Sequence, residues 1–164
     1  AELFGRLMSR PLKPGDEDIA DVVMRCVGLK KSVVEEDEFE RSGRRAILNF
    51  GHTVGHAIEH ATGYRDLLHG EAVSIGMVAE ARLAARLGIA EAALSETLAE
   101  GLSSQGLPTE LPIDVEAKAL IYAMRRDKKA ERNGLAFSLV TEIGTCRLCT
   151  GVPESDVLAV LERQ

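Results

Sequence analysis

Hydrophobic positions along this 164-residue chain recur mainly with the period of an α-helix, and Gly and Pro separate the periodic segments. The pattern predicts helices over residues 2–10, about 18–36, 46–62, 70–87, 90–104, 114–126 and 153–164. "GLAFSLV" and "GTCRLCT" alternate instead, which predicts two short strands joined through "TEIG". The expected fold is therefore mainly α, a multi-helix domain with a small two-stranded β element near the C-terminus.

Glycines mark the ends of two predicted helices and also occur inside the third. Gly63 and Gly88 follow periodic segments as C-terminal caps would. Gly51 and Gly55 fall inside residues 46–62, where each costs about 0.5–1 kcal/mol relative to alanine. Because they are spaced four apart, they clear one flank of the helix. We expect another backbone or a ligand to approach that flank closely.

Composition and charge narrow the class of protein. Hydrophobic residues make up 45% and charged residues 28%, as in an ordinary soluble globular protein, and the length suits one domain over residues 1–164. The net charge of −6 argues against nucleic acid as a partner, although a local basic cluster can still bind a small anion. No apolar run approaches the roughly 20 residues of a membrane span, so a membrane partner is not expected.

The cysteines indicate no disulfide framework, since there are three of them: Cys26, Cys146 and Cys149. "CRLC" has no second pair to complete a zinc site. On a strand, residues three apart point to opposite faces, so Cys146 and Cys149 are poorly placed to share a metal. We interpret all three as structural cysteines of a cytoplasmic protein.

Histidine is the residue type with the most uneven distribution. All four, His52, His56, His60 and His69, fall in "LNFGHTVGHAIEHATGY" and the following "LLHGEAV". The first three are spaced i, i+4, i+8, which places them along one helical face, and two imidazoles one turn apart can bind one divalent metal. A tight turn would bring His69 back over His52. Ordinary histidines bonded to backbone are the alternative, and the missing glutamate of H-E-x-x-H argues against a zinc hydrolase.

Positive and amide side chains accompany the histidines. Arg45 and Asn49 are four residues apart and fall on nearly the same predicted helical side as His52 and His56. Arginine offers a planar fork for carboxylate or phosphate. Lys31 and the run "RRDKK" add positive charge, although such a run is usually a solvated face. The residues alone thus predict a metal site beside an anion site and name no substrate.

Three longer stretches carry a resemblance to a known family. "KSVVEEDEFERSGRRAILNFGHTVGHAIEHATGY", "LHGEAVSIGM" and "RRDKK" with the following "GLAFSLV" resemble the 3-dehydroquinate synthase family, in order and over nearly the whole chain. The resemblance implies a lyase of the shikimate pathway and aromatic amino acid biosynthesis. Such an enzyme uses NAD and a divalent metal, Zn²⁺ or Co²⁺, to convert 3-deoxy-D-arabino-heptulosonate 7-phosphate to 3-dehydroquinate and phosphate.

The resemblance also implies roles for individual residues. His52 and His69 match metal ligands, and His56 matches a catalytic histidine that does not bind the metal. His60 matches no position of known role. The residues that match positions binding the sugar-acid phosphate substrate are Lys31, Arg45, Asn49 and one of Lys128 and Lys129.

The chain also departs from the family pattern. The family has an N-terminal NAD-binding domain, and no glycine-rich phosphate loop here matches it. The resemblance therefore implies the C-terminal half of a two-domain enzyme, with NAD bound mainly elsewhere and a third ligand, a glutamate, upstream. We expect the chain alone to be inactive and, by analogy, a homodimer in the whole enzyme. Two alternatives stay open: another sugar phosphate cyclase of secondary metabolism, and a non-catalytic helical interaction module.

Overall fold

A computed structural model describes residues 2–13, 15–39, 41, 43–65, 67–126 and 134–162. The helices are α1 (Glu2–Ser9), α2 (Ile19–Glu36), a 3-10 helix (Arg44–Asn49), α3 (His52–Ala61), α4 (His69–Arg86), α5 (Ala93–Ser104), α6 (Ala117–Arg126) and α7 (Glu154–Leu161). The strands β1 (Leu135–Glu142) and β2 (Thr145–Val152) pair as an antiparallel hairpin. The predicted fold class is confirmed. No helix in the described ranges is long and apolar enough to cross a membrane.

The helix predicted over residues 46–62 is wrong in one respect, because the structure divides it at Gly51. This residue has φ +82°, a left-handed conformation that ends the 3-10 helix and starts α3 at His52. Gly55 remains inside α3. The division places His52 at the first position of a helix rather than in the middle of one.

Gly63 ends α3 as the sequence predicts. It has φ +64°, and its N–H donates to the carbonyl of His60 at 3.3 Å while the N–H of Tyr64 donates to the carbonyl of Glu59 at 2.8 Å. This pair of bonds is a Schellman motif, which satisfies the last carbonyls of the helix. Helix α4 begins at His69 and packs against α3, so the two histidine-bearing helices are neighbours in space.

The helices α3 and α4 touch backbone to backbone where glycines face each other. A Cβ added to Gly76 would lie 2.0 Å from the carbonyl oxygen of Gly51, and one added to Gly55 would lie 3.1 Å from Cα of Val73. Contacts under 3.0 Å are essentially never made by a real Cβ. The expectation that Gly51 and Gly55 clear a flank for a close approach is confirmed, and the approaching backbone is that of α4.

The main hydrophobic core lies between α3, α4, α6, α7 and the hairpin. Its largest fully buried apolar side chains are Phe137, Ile58, Ile75, Leu83, Leu120 and Leu139. A second cluster of Ala81, Leu98 and Val140 packs against Phe4 and Cys146, whereas Cys149 packs against the main core. The two thiols of "CRLC" therefore lie in different surroundings, as their spacing on a strand predicts.

Two side chains join the hairpin to the segment around His52. The hydroxyl of Thr53 donates to the carbonyl of Ala136 at 3.3 Å, and the hydroxyl of Ser138 donates to the carbonyl of Ala46. Strand β1 is buried over most of its length, while β2 is largely exposed. The hairpin thus forms a wall beside the start of α3.

Candidate metal and substrate site

The rings of three histidines converge where α3 and α4 begin. The ring centroids of His52 and His56 are 5.4 Å apart, those of His52 and His69 are 5.4 Å apart, and those of His56 and His69 are 5.7 Å apart. His52 and His69 are each the first residue of their helix, and His56 lies one turn beyond His52. The turn between α3 and α4 therefore brings together side chains that are separated along the sequence.

His52 is held by the backbone on one side of its ring. Its Nδ1 lies 3.2 Å from the carbonyl oxygen of Phe50, so the tautomer protonated at Nδ1 donates there and keeps the Nε2 lone pair free. Burial lowers the pKa of His52, and positive charge on His56 or His69 lowers it further, against the effect of the Phe50 carbonyl. The neutral ring is the form that binds metal ions.

His69 is held by a carboxylate instead. Its Nδ1 lies 3.0 Å from Oε1 of Glu59, which is only 8% exposed. A carboxylate behind an imidazole fixes the ring orientation and leaves Nε2 for a metal. Glu59 can also contribute to a metal site of its own. One possible ligand atom from each of His56, Glu59 and His69 lies within 4.8 Å of the other two.

Glu59 is a site residue to which the sequence reasoning gave no role. The signal that points to it is its position three residues after His56, which places both on the same side of α3. Its partner His69 lies on another helix, so periodicity along α3 cannot reveal the contact. Only the turn between the helices does so.

Glu71, which follows His69 closely, has a local structural role. Its Oε2 accepts the backbone N–H of the N-cap residue Leu68 at 2.7 Å, which is one half of a capping box; leucine has no side-chain acceptor to make the other half. This bond fixes the first turn of α4 and with it the backbone of His69. The sequence "HGE" thus combines a histidine with the carboxylate that orders its helix terminus.

A cavity of about 360 Å³ opens beside the histidines. Asn49, His52 and His56 line one side of it, and the hairpin residues Ala136 and Phe137 line another. A second cavity of about 560 Å³ adjoins it through His56 and is lined further by residues that include Glu59, His60, Tyr64 and Arg126. The structure therefore places His52 and His56 on the wall of a space large enough for a small polar ligand.

The remaining predicted substrate-binding residues are less closely grouped. Arg45 lies on the same 3-10 helix as Asn49, and its backbone N–H donates to Oδ2 of Asp37 at 3.2 Å. Lys31 lies exposed on α2 with its Nζ 3.6 Å from Oε1 of Glu35, away from the described lining of either cavity. Lys128 and Lys129 fall outside the described residues.

Beneath the site lies a buried carboxylate that the sequence reasoning also missed. Glu80 of α4 is 0% exposed and accepts the backbone N–H groups of Gly51 at 2.7 Å and Val54 at 3.2 Å. Burial raises the pKa of Glu80 to about 8, and the backbone donors of Gly51, Val54 and Thr53 oppose that rise. In the sequence Glu80 cannot be distinguished from a surface glutamate, because the N–H groups that it accepts belong to a distant segment of the chain.

Comparison with known proteins gives a consistent set of relatives. The family description "3-dehydroquinate synthase C-terminal" matches residues 1–130. The 3-dehydroquinate synthase of Desulforamulus reducens is 44% identical over 155 residues, which is 94% of this chain and 43% of that protein. That of Geobacter metallireducens is 48% identical over 135 residues, which is 82% of this chain and 37% of that protein. The chain thus spans less than half the length of these curated relatives.

Solved structures share the fold at lower identity. A 2-epi-5-epi-valiolone synthase from Streptomyces hygroscopicus, with NAD⁺ and Zn²⁺ bound, has a TM-score of 0.79 and 24% identity over 99% of this chain and 46% of that one. A 2-deoxy-scyllo-inosose synthase complexed with carbaglucose-6-phosphate, NAD⁺ and Co²⁺ has a TM-score of 0.76 and 21% identity over 98% of this chain and 49% of that one.

Proposed function

We propose that this chain, which belongs to the 3-dehydroquinate synthase family, forms the metal- and substrate-binding part of a 3-dehydroquinate synthase. The complete enzyme would convert 3-deoxy-D-arabino-heptulosonate 7-phosphate to 3-dehydroquinate and phosphate. The observation that carries the proposal is the convergence of the His52, His56 and His69 rings beside a cavity. NAD would be bound mainly by an N-terminal domain outside these 164 residues.

The donor atoms of the site fit a divalent metal such as Zn²⁺ or Co²⁺. We assign His52 and His69 as its ligands, because each has Nδ1 facing an oxygen and Nε2 available. A bound ion would stabilise negative charge that develops on substrate oxygens. The alternative ligand set is His56, Glu59 and His69, whose donor atoms are also close together.

His56 is assigned a different task from its two neighbours. It is exposed and lines both cavities, so an imidazole nitrogen can exchange a proton with a substrate bound there. A ligand must keep its lone pair for the metal, whereas an acid–base group must gain and lose a proton. We therefore assign His56 to proton transfer or hydrogen bonding beside the metal.

The acidic substrate requires positive and amide groups around the cavity. Asn49 already lines it, and Arg45 belongs to the same short helix. We retain Lys31, Lys128 and Lys129 as further candidates for the anionic groups. Lys31 would have to leave Glu35, and an exposed pair of this kind is worth only about 0–1 kcal/mol.

A chimera tests the proposed reaction. The N-terminal part of the Desulforamulus reducens synthase is fused to this chain, and phosphate release is measured with NAD, Zn²⁺ or Co²⁺ and the heptulosonate phosphate. Turnover that disappears in His56→Ala supports the proposal. A folded chimera that binds metal yet releases no phosphate contradicts it.

A related cyclase is the second candidate, since the fold matches synthases of other carbocycles. The same chimera is offered the phosphorylated sugar substrates of those enzymes. Preference for one of them over the heptulosonate phosphate would replace the proposed substrate. A fully folded chimera that binds no metal would instead favour the non-catalytic helical interaction module.

A further inference from the structure

Glu80 is a buried ionisable residue that the proposed function does not use. Its Oε2 lies 2.7 Å from the backbone nitrogen of Gly51 and its Oε1 lies 3.2 Å from that of Val54. The first N–H groups of a helix have no carbonyl partner within the helix, and a polar N-cap side chain usually satisfies one of them. The N-cap of α3 is Gly51, which has no side chain. Glu80 supplies that cap from α4.

The glycine contact between α3 and α4 makes this reach feasible. Gly76 lies one turn before Glu80 on the same face of α4, and a Cβ on Gly76 would lie 2.0 Å from the Gly51 carbonyl oxygen. Because the two backbones touch there, a glutamate one turn further along reaches the N–H groups at the start of α3. A wider separation of the helices would leave those donors buried without an acceptor, which is costly.

We infer that Glu80 is a positioning residue for the histidine cluster, because it fixes the helical turn that carries His52 and aims that ring at His69. His52 lies between the two residues whose N–H groups Glu80 binds, and its own bond to the Phe50 carbonyl belongs to the same turn. His69 begins the very helix that carries Glu80. Helix α4 therefore supplies one histidine of the cluster directly and orients a second one through Glu80.

The first test needs no metal. In ¹⁵N-labelled protein, long-range ¹H–¹⁵N spectra report the tautomer of each imidazole. We expect His52 to be protonated at Nδ1 in the original sequence and to become a mixture of tautomers in Glu80→Ala. Amide exchange at Val54 should accelerate in the same variant. A folded Glu80→Ala protein with an unchanged His52 tautomer would overturn the inference.

Gln105→Ala is the matched control for general loss of stability. The Gln105 side chain also makes two bonds to backbone, accepting the N–H of Leu12 at 2.9 Å and donating to the carbonyl of Leu7 at 2.7 Å, remote from the histidines. Its removal should lower stability and leave the His52 tautomer as it was. A similar tautomer change in both variants would mean that Glu80 acts only through stability, and the inference would fail.

The second test rests on the proposed metal site. Titration with CoCl₂, followed by the absorption of bound Co²⁺, should show affinity lower by about 10–100-fold in Glu80→Ala, as for residues that orient metal ligands. Gln105→Ala should bind as the original chain does. If the chimera with the Desulforamulus reducens N-terminal part also binds no Co²⁺, the proposed metal site is in error, and the tautomer experiment still decides the role of Glu80.

Glu80→Gln covers the case in which Glu80→Ala does not fold. It keeps the side-chain length and one acceptor oxygen but presents an amide group to the second N–H of α3. We expect the same changes as for alanine, smaller in size. An unchanged tautomer and unchanged Co²⁺ affinity in a folded Glu80→Gln protein would overturn the inference.

Discussion

His52 and His69 share one local property, which is their position as the first residue of a helix. Their rings therefore meet where α3 and α4 begin. Burial lowers the pKa of His52, so its ring keeps a lone pair available near neutral pH, which a metal ligand requires. At His69 the carboxylate of Glu59 holds Nδ1 and leaves Nε2 free.

Single histidine variants should distinguish the two ligand sets. His52→Ala and His69→Ala are expected to lose most bound metal, measured by atomic emission after dialysis against Zn²⁺, because each removes one of two imidazole ligands. His56→Ala should retain metal. The exposed His60, which lies outside the ring cluster, provides the control as His60→Ala. Metal lost from His56→Ala and Glu59→Gln but kept by His52→Ala would instead establish the His56, Glu59 and His69 set.

The thiols should differ in reactivity. Burial raises the pKa of Cys146 to about 11, and the nearby carboxylate of Glu80 adds to the rise, while Cys26 is exposed. Because the thiolate is the reactive form, iodoacetamide at pH 8 should label Cys26 well before Cys146, as followed by peptide mass spectrometry. Denaturation in urea should remove the difference. Equal labelling rates in the folded protein would contradict the pKa shift.

At the scale of elements, the histidine face of α3 was predictable and the start of α3 was not. Periodicity is a local property, so the spacing of His52, His56 and His60 determines their common face wherever the helix begins. The break at Gly51 is fixed instead by its contact with α4. The roles of Glu59 and Glu80 were missed for the same reason, since each acts on a residue of another segment.

Gly76→Ala should destabilise the protein although alanine favours helices. Its Cβ would lie 2.0 Å from the Gly51 carbonyl oxygen, so α3 and α4 would have to separate, and overpacking of this kind costs about 1–3 kcal/mol. Gly28→Ala, in α2 with nothing within 4 Å, is the control and should gain about 0.5–1 kcal/mol. Urea unfolding of both variants measures whether each substitution lowers or raises the free energy of unfolding. Stabilisation by Gly76→Ala would show that the helices do not touch there.

The buried carboxylate of Glu80 should make stability depend on pH. Its pKa in the folded chain is about 8 against an ordinary value of 4.5, so the folded state keeps a proton that the unfolded state loses. Between these values the free energy of unfolding should fall as pH rises, by up to about 1.4 kcal/mol per pH unit. Urea unfolding at pH 5, 6.5 and 8 measures the slope.

Glu80→Gln is the comparison that isolates this slope. It keeps every histidine, so the opposite contribution of His52, whose lowered pKa makes stability rise with pH, is present in both proteins. The free energy of unfolding of the original chain minus that of Glu80→Gln should therefore decrease as the pH rises. Parallel curves would mean that Glu80 is ionised in the folded state across this range.

At the scale of the whole molecule, element order was predictable from pattern and turns, whereas packing was not. The sequence predicts both strands and every described α-helix to within a few residues, except for the start of α3, because their periods and glycine ends are local signals. It does not predict that α2 buries only Val22 and exposes Val23, Met24 and Val27. The exposure of these side chains depends on which elements pack against α2, and the amphipathic pattern of α2 alone does not predict that packing.

The shared border of α3 and α4 has a consequence for the order of folding. All the histidines belong to these two consecutive helices, and contacts between sequence neighbours form with little loss of chain entropy. The hairpin that walls the cavity comes from a distant part of the chain and closes at greater entropic cost. The atoms of the proposed metal site can therefore gather in a helix pair before the hairpin closes the cavity, so we expect zinc added during refolding to be able to bind before folding is complete.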